Sequence, residues 1–322
     1  MPEALSAARP DLYEQTRRSL EREPKELSPV WLYDERGSRL YEGITRLAGY
    51  YLPRAEAEIL RSHAAEIARR TRARTLVELG SGSARNTRFL LDALETLERF
   101  VPVDVSAEML RTTAGKVAAA YPRIAVEEIV GDFQRGLGTL PGRSPRLIAL
   151  LGSTIGNFYP DERAELLASF AGELGDGDAL LVGLDLVKDA TRLQAAYHDD
   201  TGVTEEFARN ALTAVNGELD ATFDQRRFVY EPSWDPEHEW MDIAFRAVEE
   251  HAVSVRRLGL ELGFERGERL RIEISAKFRR ESFEAELNAA GLGAASWWTD
   301  PAGDFAVVLA RPEGQVARRE EM

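Results

Sequence analysis

Glu78, Gly80, Gly82, Asp104 and Asp132 are the residues from which a chemistry can first be read. Glu78 lies in an apolar run, Thr75 to Leu79, that ends in Gly80-Ser81-Gly82, and a helix-like stretch follows from about Arg85 to Leu94. That is the pattern of a buried strand, a tight turn and a helix start. Neither glycine has a Cβ, so the backbone there can approach a ligand closely. A dinucleotide site would carry a third glycine and seat a pyrophosphate on the helix N-terminus. Arg85 occupies that third position, and Glu78 would repel a phosphate. A carboxylate beside the turn suits a cationic or amine-bearing ligand. Asp104 closes the run FVPVDVS, 24 residues after Gly80, where a strand-end carboxylate holds ribose hydroxyls. Asp132, in IVGDF, follows the third apolar run and would lie near an adenine edge. S-adenosylmethionine has a sulfonium, an ammonium and no phosphate, and fits this pattern best. On these residues alone a nucleotide cofactor, or none, stays open.

The elements that must position these residues read as alternating strands and helices. Strands are expected at about 75–79, 100–105, 125–130, 146–152 and 179–186, with helices over 107–121 and 161–174 between them. Near-continuous apolar strands alternating with amphipathic helices imply a parallel sheet covered on both faces. Before this core come a polar helix at about 10–26, an aromatic-rich stretch with Trp31, Tyr33, Tyr41, Tyr50 and Tyr51, and a helix from about Arg54 to Arg70. Tyr50-Tyr51-Leu52-Pro53 is expected to end a helix. After the fifth strand, 188–222 reads as helical, and short alternating runs to Phe278 imply an antiparallel region with hairpins near 251–252 and 265–269. A helix at 281–290 and two strands within 297–310 close the chain, and the charged tail beyond Arg311 is expected to fray. The expected class is α/β, a Rossmann-like methyltransferase sheet with an inserted α+β domain. Residues 55–189 and 278–322 would form the cofactor domain, and 1–54 with 190–277 the substrate domain.

Of the 322 residues, 44% are hydrophobic and 30% charged, which fits a globular chain long enough for two domains. The net charge of −14, with no long Lys/Arg run, disfavours nucleic acid and anionic membranes as partners. With no cysteine there is no disulfide, thiolate nucleophile or zinc thiolate site. The four histidines show no metal-ligand spacing, so no metal is expected. No apolar stretch is long enough for a membrane span and no leader pattern opens the sequence. The expectation is a cytoplasmic monomer.

The segments WLYDERGSRLYEGITRLAGYYLPRAEAEIL, LVELGSGSARNT, GDF, LGSTIGNFYP, LVGLDLVKD, EISAKFR and WWTDPAGDFAV together resemble one family, the S-adenosylmethionine-dependent histidine Nα-methyltransferases of ergothioneine biosynthesis. The resemblance runs from about residue 20 to 311. It implies a class I methyltransferase domain, a substrate-binding domain built from an N-terminal piece and an insertion, and three methyl transfers to the α-amino nitrogen of free histidine, giving hercynine. By the same resemblance, Tyr50, Gly80, Asn86, Asp104, Asp132 and Phe133 would bind the cofactor. Asn157 and Tyr197 would bind the histidine carboxylate, with Gly152 and Thr154 beside the substrate. Tyr33 would lie near the amino group, and Glu273 and Ser275 would hold the imidazole with Ile243 beside it. Asn86 stands where the family pattern has a lysine, and Ile243 where it has a methionine.

The residue chemistry agrees with such a reaction. Glu273 and Ser275 are two apart on an expected strand, so their side chains share a face. One carboxylate and one hydroxyl can grip both imidazole nitrogens; alternation with Ile272, Ile274 and Ala276 equally fits a plain solvent face. A site that hydrogen-bonds both nitrogens rejects amino acids lacking them more strongly than an apolar slot does. Three other functions fit the same residues: methylation of another small amine, methylation of a protein amino group, and cofactor binding without catalysis.

Overall fold

The computed structural model describes residues 3–133 and 140–315, with side chains from Leu12 onward. In chain order, α1 (Glu3–Leu20), β1 (Lys25–Glu26), α2 (Glu35–Ile44) and α3 (Leu52–Thr71) lead to β2 (Thr75–Leu79), α4 (Thr87–Ala93), β3 (Arg99–Asp104) and α5 (Ala107–Ala120). Next come β4 (Ala125–Val126), β5 (Ile129–Val130), β6 (Arg146–Leu150), α6 (Pro160–Glu173), β7 (Ala179–Asp185), α7 (Ala190–Tyr197) and α8 (Val203–Leu219). The remainder is β8 (Phe228–Asp235), β9 (Trp240–Ala247), β10 (His251–Val255), β11 (Leu260–Phe264), β12 (Arg269–Ala276), α9 (Arg280–Ala289), β13 (Leu292–Thr299) and β14 (Phe305–Pro312). Contacts divide the chain into two units, Met1–Gly49 with Ala190–Ser275, and Tyr50–Asp189 with Ala276–Met322. Tyr50–Arg54, Ala276 and Lys277 thus pack with the larger unit.

The larger unit is built on one sheet, ordered β13-β14-β7-β6-β2-β3-β4, with β5 pairing β3 farther along that strand. β2 pairs in parallel with β3 on one side and β6 on the other, so the strand order reverses beside β2. Ligands of open α/β sheets bind at such a switch point, outside the strands' carboxyl ends. β14 runs antiparallel to β7, and β13 to β14. This is a Rossmann-like, mostly parallel sheet closed at one edge by an antiparallel hairpin. Every residue of β2 and β7 is buried, which is why these strands read as near-continuous apolar runs. α3 packs on β7, β13 and β14, and α5 on β3.

The smaller unit holds a sheet ordered β1-β12-β9-β8, a separate β10-β11 hairpin, and the paired helices α2 and α8. Several expected boundaries are corrected. Tyr51 is the N-cap of α3 and Pro53 sits in its first turn, where a missing N–H costs nothing; this stretch starts a helix. The expected strand at 125–130 is two short pieces, β4 and β5, on one partner. The helix expected to reach residue 26 ends at Leu20, and Lys25–Glu26 pair with β12 instead. Residues 251–252 open β10, because the buried His251 ring stacks on Phe264, its register partner, at 5.3 Å. A turn does lie at 265–268, yet β11 and β12 belong to different sheets. The tail is described to Gln315, and 316–322 lie outside the described residues.

Candidate functional site

The glycine turn lies between β2 and α4. Gly80 and Gly82 take φ of +70° and +45°, backbone that side chains rarely adopt. The Gly80 and Ser81 amides donate to the Val103 carbonyl at 2.9 and 3.2 Å, so the turn is tied to the end of β3. Asp104, the last residue of β3, accepts from the Gly82 amide and the Ser106 amide, each at 2.9 Å. The carboxylate is thereby oriented and keeps lone pairs for a ligand. Burial raises its pKa, and those backbone N–H groups oppose the rise. β5 brings in the next segment: Val130 pairs with Asp104, and the Gly131 amide donates to the Asp104 carbonyl at 3.1 Å. Asp132 and Phe133 follow directly. A Cβ on Gly80 would lie 3.7 Å from the Phe133 ring, so turn and ring border one space.

Two more carboxylates face this turn. Glu78 is buried, and burial, with the charges of Glu56 and Asp104, raises its pKa to about 8. Thr87 donates to its Oε1, while Oε2 is buried without a hydrogen-bond partner. Glu56, on α3, is also buried, and burial raises its pKa. Its Oε1 accepts from the Gly152 amide at 2.6 Å and its Oε2 from the Asn86 amide nitrogen at 2.8 Å. That nitrogen also reaches the Pro53 carbonyl at 3.1 Å. Glu56 therefore ties Asn86, the N-cap of α4, to Gly152 of the loop after β6. Sequence reasoning missed Glu56, although its signal was present: it falls in the buried stripe Leu52, Ala55, Glu56, Ile59, Leu60, where an acid is out of place. An orphaned buried carboxylate oxygen, two further acids and a turn open to close approach fit a ligand bearing a sulfonium and an ammonium.

The loop after β6 carries the other candidates of this unit. Gly152 has φ of +71°, Thr154 donates to the Leu151 carbonyl at 2.8 Å, and Asn157 ends the 3-10 turn Thr154–Asn157. This loop lies past the carboxyl end of β6, the edge at which ligands bind. Gly156 has no room for a side chain, since a Cβ would stand 2.9 Å from the Ala276 carbonyl. Tyr50 is buried immediately before α3.

Tyr33, Tyr197, Ile243, Glu273 and Ser275 belong to the smaller unit. Tyr197, at the end of α7, donates its hydroxyl to Ser275 Oγ at 2.7 Å, and its carbonyl accepts from Tyr230 at 3.0 Å. The Tyr230 pKa is pushed well up, by burial first and then by the Glu273 charge. Tyr197, Tyr230 and Ser275 are thus hydrogen-bonded together, with Glu273 two residues before Ser275 on β12; Tyr230 was not singled out in sequence. Ile243 is buried on β9, the strand between β8 and β12. The Tyr33 ring packs edge-on to Tyr41 and Phe207, at 5.8 and 5.5 Å between centroids. Among the described residues no cluster of three His, Cys, Asp or Glu could hold a metal ion, and no described helix is long and apolar enough to cross a membrane.

Comparison with known proteins gives this arrangement its context. A histidine N-alpha-methyltransferase of Mycolicibacterium smegmatis is 47% identical over 95% of this chain and 97% of its own length. One of Mycobacterium tuberculosis is 47% identical over 94% of both chains. A 4-dimethylallyltryptophan N-methyltransferase of Claviceps purpurea is 27% identical over 92% of this chain and 93% of its own. The family profile described as histidine-specific methyltransferase, SAM-dependent, matches residues 12–312. With that match spanning nearly the whole chain, the protein belongs to the SAM-dependent histidine-specific methyltransferase family.

Proposed function

We propose that the chain transfers three methyl groups from S-adenosylmethionine to the α-amino nitrogen of free histidine, giving hercynine, as a step of ergothioneine biosynthesis. The observation that carries this reading is the 47% identity, across 95% of the chain, to a histidine N-alpha-methyltransferase. The polar residues Tyr197, Tyr230, Glu273 and Ser275 support it, because an imidazole needs a partner at each nitrogen. S-adenosylmethionine supplies an electrophilic methyl carbon on a sulfonium. The chain's own task is alignment and desolvation, since an in-line displacement needs no covalent protein nucleophile. Asp104 holds ribose hydroxyls, with Gly80, Tyr50, Asp132 and Phe133 around the rest of the cofactor and Asn86 held by Glu56 at its border. Glu273 accepts from one imidazole N–H, and the Ser275 hydroxyl meets the other nitrogen with Ile243 alongside. The Asn157 amide serves the substrate carboxylate, joined by the Tyr197 hydroxyl when its one proton turns from Ser275 Oγ to the ligand, and Gly152 and Thr154 shape its loop. The attacking amine must be neutral; an α-amine titrates at about pH 8, so a modest shift suffices. Tyr33 positions the amine and is no general base, because a phenol titrates near about pH 10. The net charge of −14 supports a small-molecule partner, with the chain acting as a cytoplasmic monomer.

Incubation with S-adenosylmethionine and a mixture of free amino acids, read by mass, tests the proposal. The expected result is a gain of three methyls on histidine alone, sharply reduced in Glu273→Ala. Methylation of another amine would favour the second reading, which rests on Ile243 and on the relative named for a substituted tryptophan.

A further inference from the structure

Asp185, the last residue of β7, is fully buried and has no role in the chemistry above. Four segments converge on it. The Tyr51 hydroxyl donates to both its oxygens, at 2.8 and 3.0 Å. Lys277 lies 2.9 Å from Oδ2. Lys188 bonds to Oδ1, to the Tyr51 hydroxyl at 2.7 Å and to the Leu186 carbonyl at 2.6 Å. The Asp185 amide donates to Ser153 Oγ at 2.9 Å, and its carbonyl accepts from the Phe278 amide at 2.8 Å. Three of the four partners lie within two residues of a residue proposed for the site. Tyr51 follows Tyr50, Ser153 lies between Gly152 and Thr154, and Lys277 comes two residues after Ser275. The chain passes between the two units after Gly49, after Asp189 and after Ser275. At each passage the second residue inside the larger unit, Tyr51, Lys188 or Lys277, binds Asp185.

A buried ion cluster is weak evidence for stability, because apolar packing of equal volume often does as well. What it supplies is one geometry. Loss of any partner leaves a buried charge or hydroxyl unmatched, so the four segments are held in a single mutual arrangement. We infer that Asp185 is a positioning residue for methyl transfer: through Tyr51, Ser153, Lys188 and Lys277 it sets the backbone from which the cofactor and substrate residues project. This rests on the reading of histidine as substrate for its kinetic arm only.

The test uses Tyr51→Phe and Lys277→Met in the full chain, because Asp185→Asn leaves two buried ammonium groups and can prevent folding. S-adenosylhomocysteine affinity is measured by calorimetry, histidine KM and kcat by turnover, and folding by thermal melts. Tyr51→Phe should weaken S-adenosylhomocysteine by about fivefold or more, the equivalent of one lost hydrogen bond. Lys277→Met should raise the histidine KM by more than it changes cofactor affinity. Melts that shift down while affinity and KM both stay within about twofold would show a merely structural cluster and overturn the inference. A wild-type chain that binds S-adenosylhomocysteine but leaves histidine unmethylated would overturn the substrate reading instead, and the calorimetric arm would still decide the role of Asp185.

Discussion

Buried carboxylates of the larger unit are partnered in two opposite ways. Asp185 is matched by two ammonium groups and a phenol. Lys188 itself is held below its usual pKa, by burial against the opposing pull of Asp185 and with added repulsion from Lys277. Glu56, Glu78 and Asp104 form the second group. Among the described residues no lysine or arginine bonds to any of them; their partners are amides, a hydroxyl and backbone N–H groups. A balanced cluster is complete within the protein. An unbalanced one keeps its acids partly protonated, or is completed by a cation from outside. Charge balance therefore separates the internal anchor from the candidate ligand-binding edge, although both are built on buried acids.

The largest effect that would break this contrast is on Asp185. Asp185→Asn should destabilise the protein by about 3–5 kcal/mol, the cost of removing one partner from a buried ionic pair, measured by denaturant unfolding. A loss below about 1 kcal/mol would mean that the cluster behaves like a surface pair. Next, Asp104→Ala should weaken S-adenosylhomocysteine by about 10- to 100-fold, as for a hydrogen bond to a charged group, with calorimetry as the readout. The third effect is pH-dependent. Burial raises the Glu78 pKa to about 8 in the folded state, against about 4.3 in an unfolded chain. In that interval the native state holds a proton that the unfolded state has lost. Stability of the ligand-free protein should therefore fall as pH rises from about 4.3 toward 8, by at most about 1.4 kcal/mol per pH unit for one proton. Glu78→Gln should flatten that slope. A cationic ligand favours the ionised acid, so cofactor binding should release protons in the same interval, detectable by calorimetry in buffers of different ionisation enthalpy. The smallest effect should come from Glu56→Gln. It removes one neighbouring charge and should move the upper end of the Glu78 slope to lower pH without abolishing it.

The sheet was legible because β2, β6 and β7 are almost wholly buried and so carry near-continuous apolar residues. The glycine turn and Asp104 were legible for a related reason: a strand end next to a sharp turn needs particular residue types. The smaller unit was harder. β1 is two residues long and is defined only by its pairing with β12, so no local period announces it. Glu56 could have been found as an acid in an apolar helical stripe. The Asp185 cluster could not, because Tyr51, Ser153, Lys188 and Lys277 share no spacing, and long-range side-chain pairing leaves no local pattern.

The smaller unit is assembled from two stretches separated by the first 140 residues of the larger one, Tyr50–Asp189, and this has a consequence for synthesis. Arg271 reaches back over 245 positions to bond with Glu26. Chains are made from the N-terminus and fold as segments emerge. Glu56, Glu78, Asp104, Asn86 and Gly152 are all present once β6 and its loop are translated, so the unbalanced acids can gather early. Lys277 arrives far later, and until then Lys188 is the one cation on Asp185 among the described residues. The nascent chain thus carries the glycine turn and its acids before it carries Lys277, and Lys25–Glu26 must wait for β12 before their sheet exists.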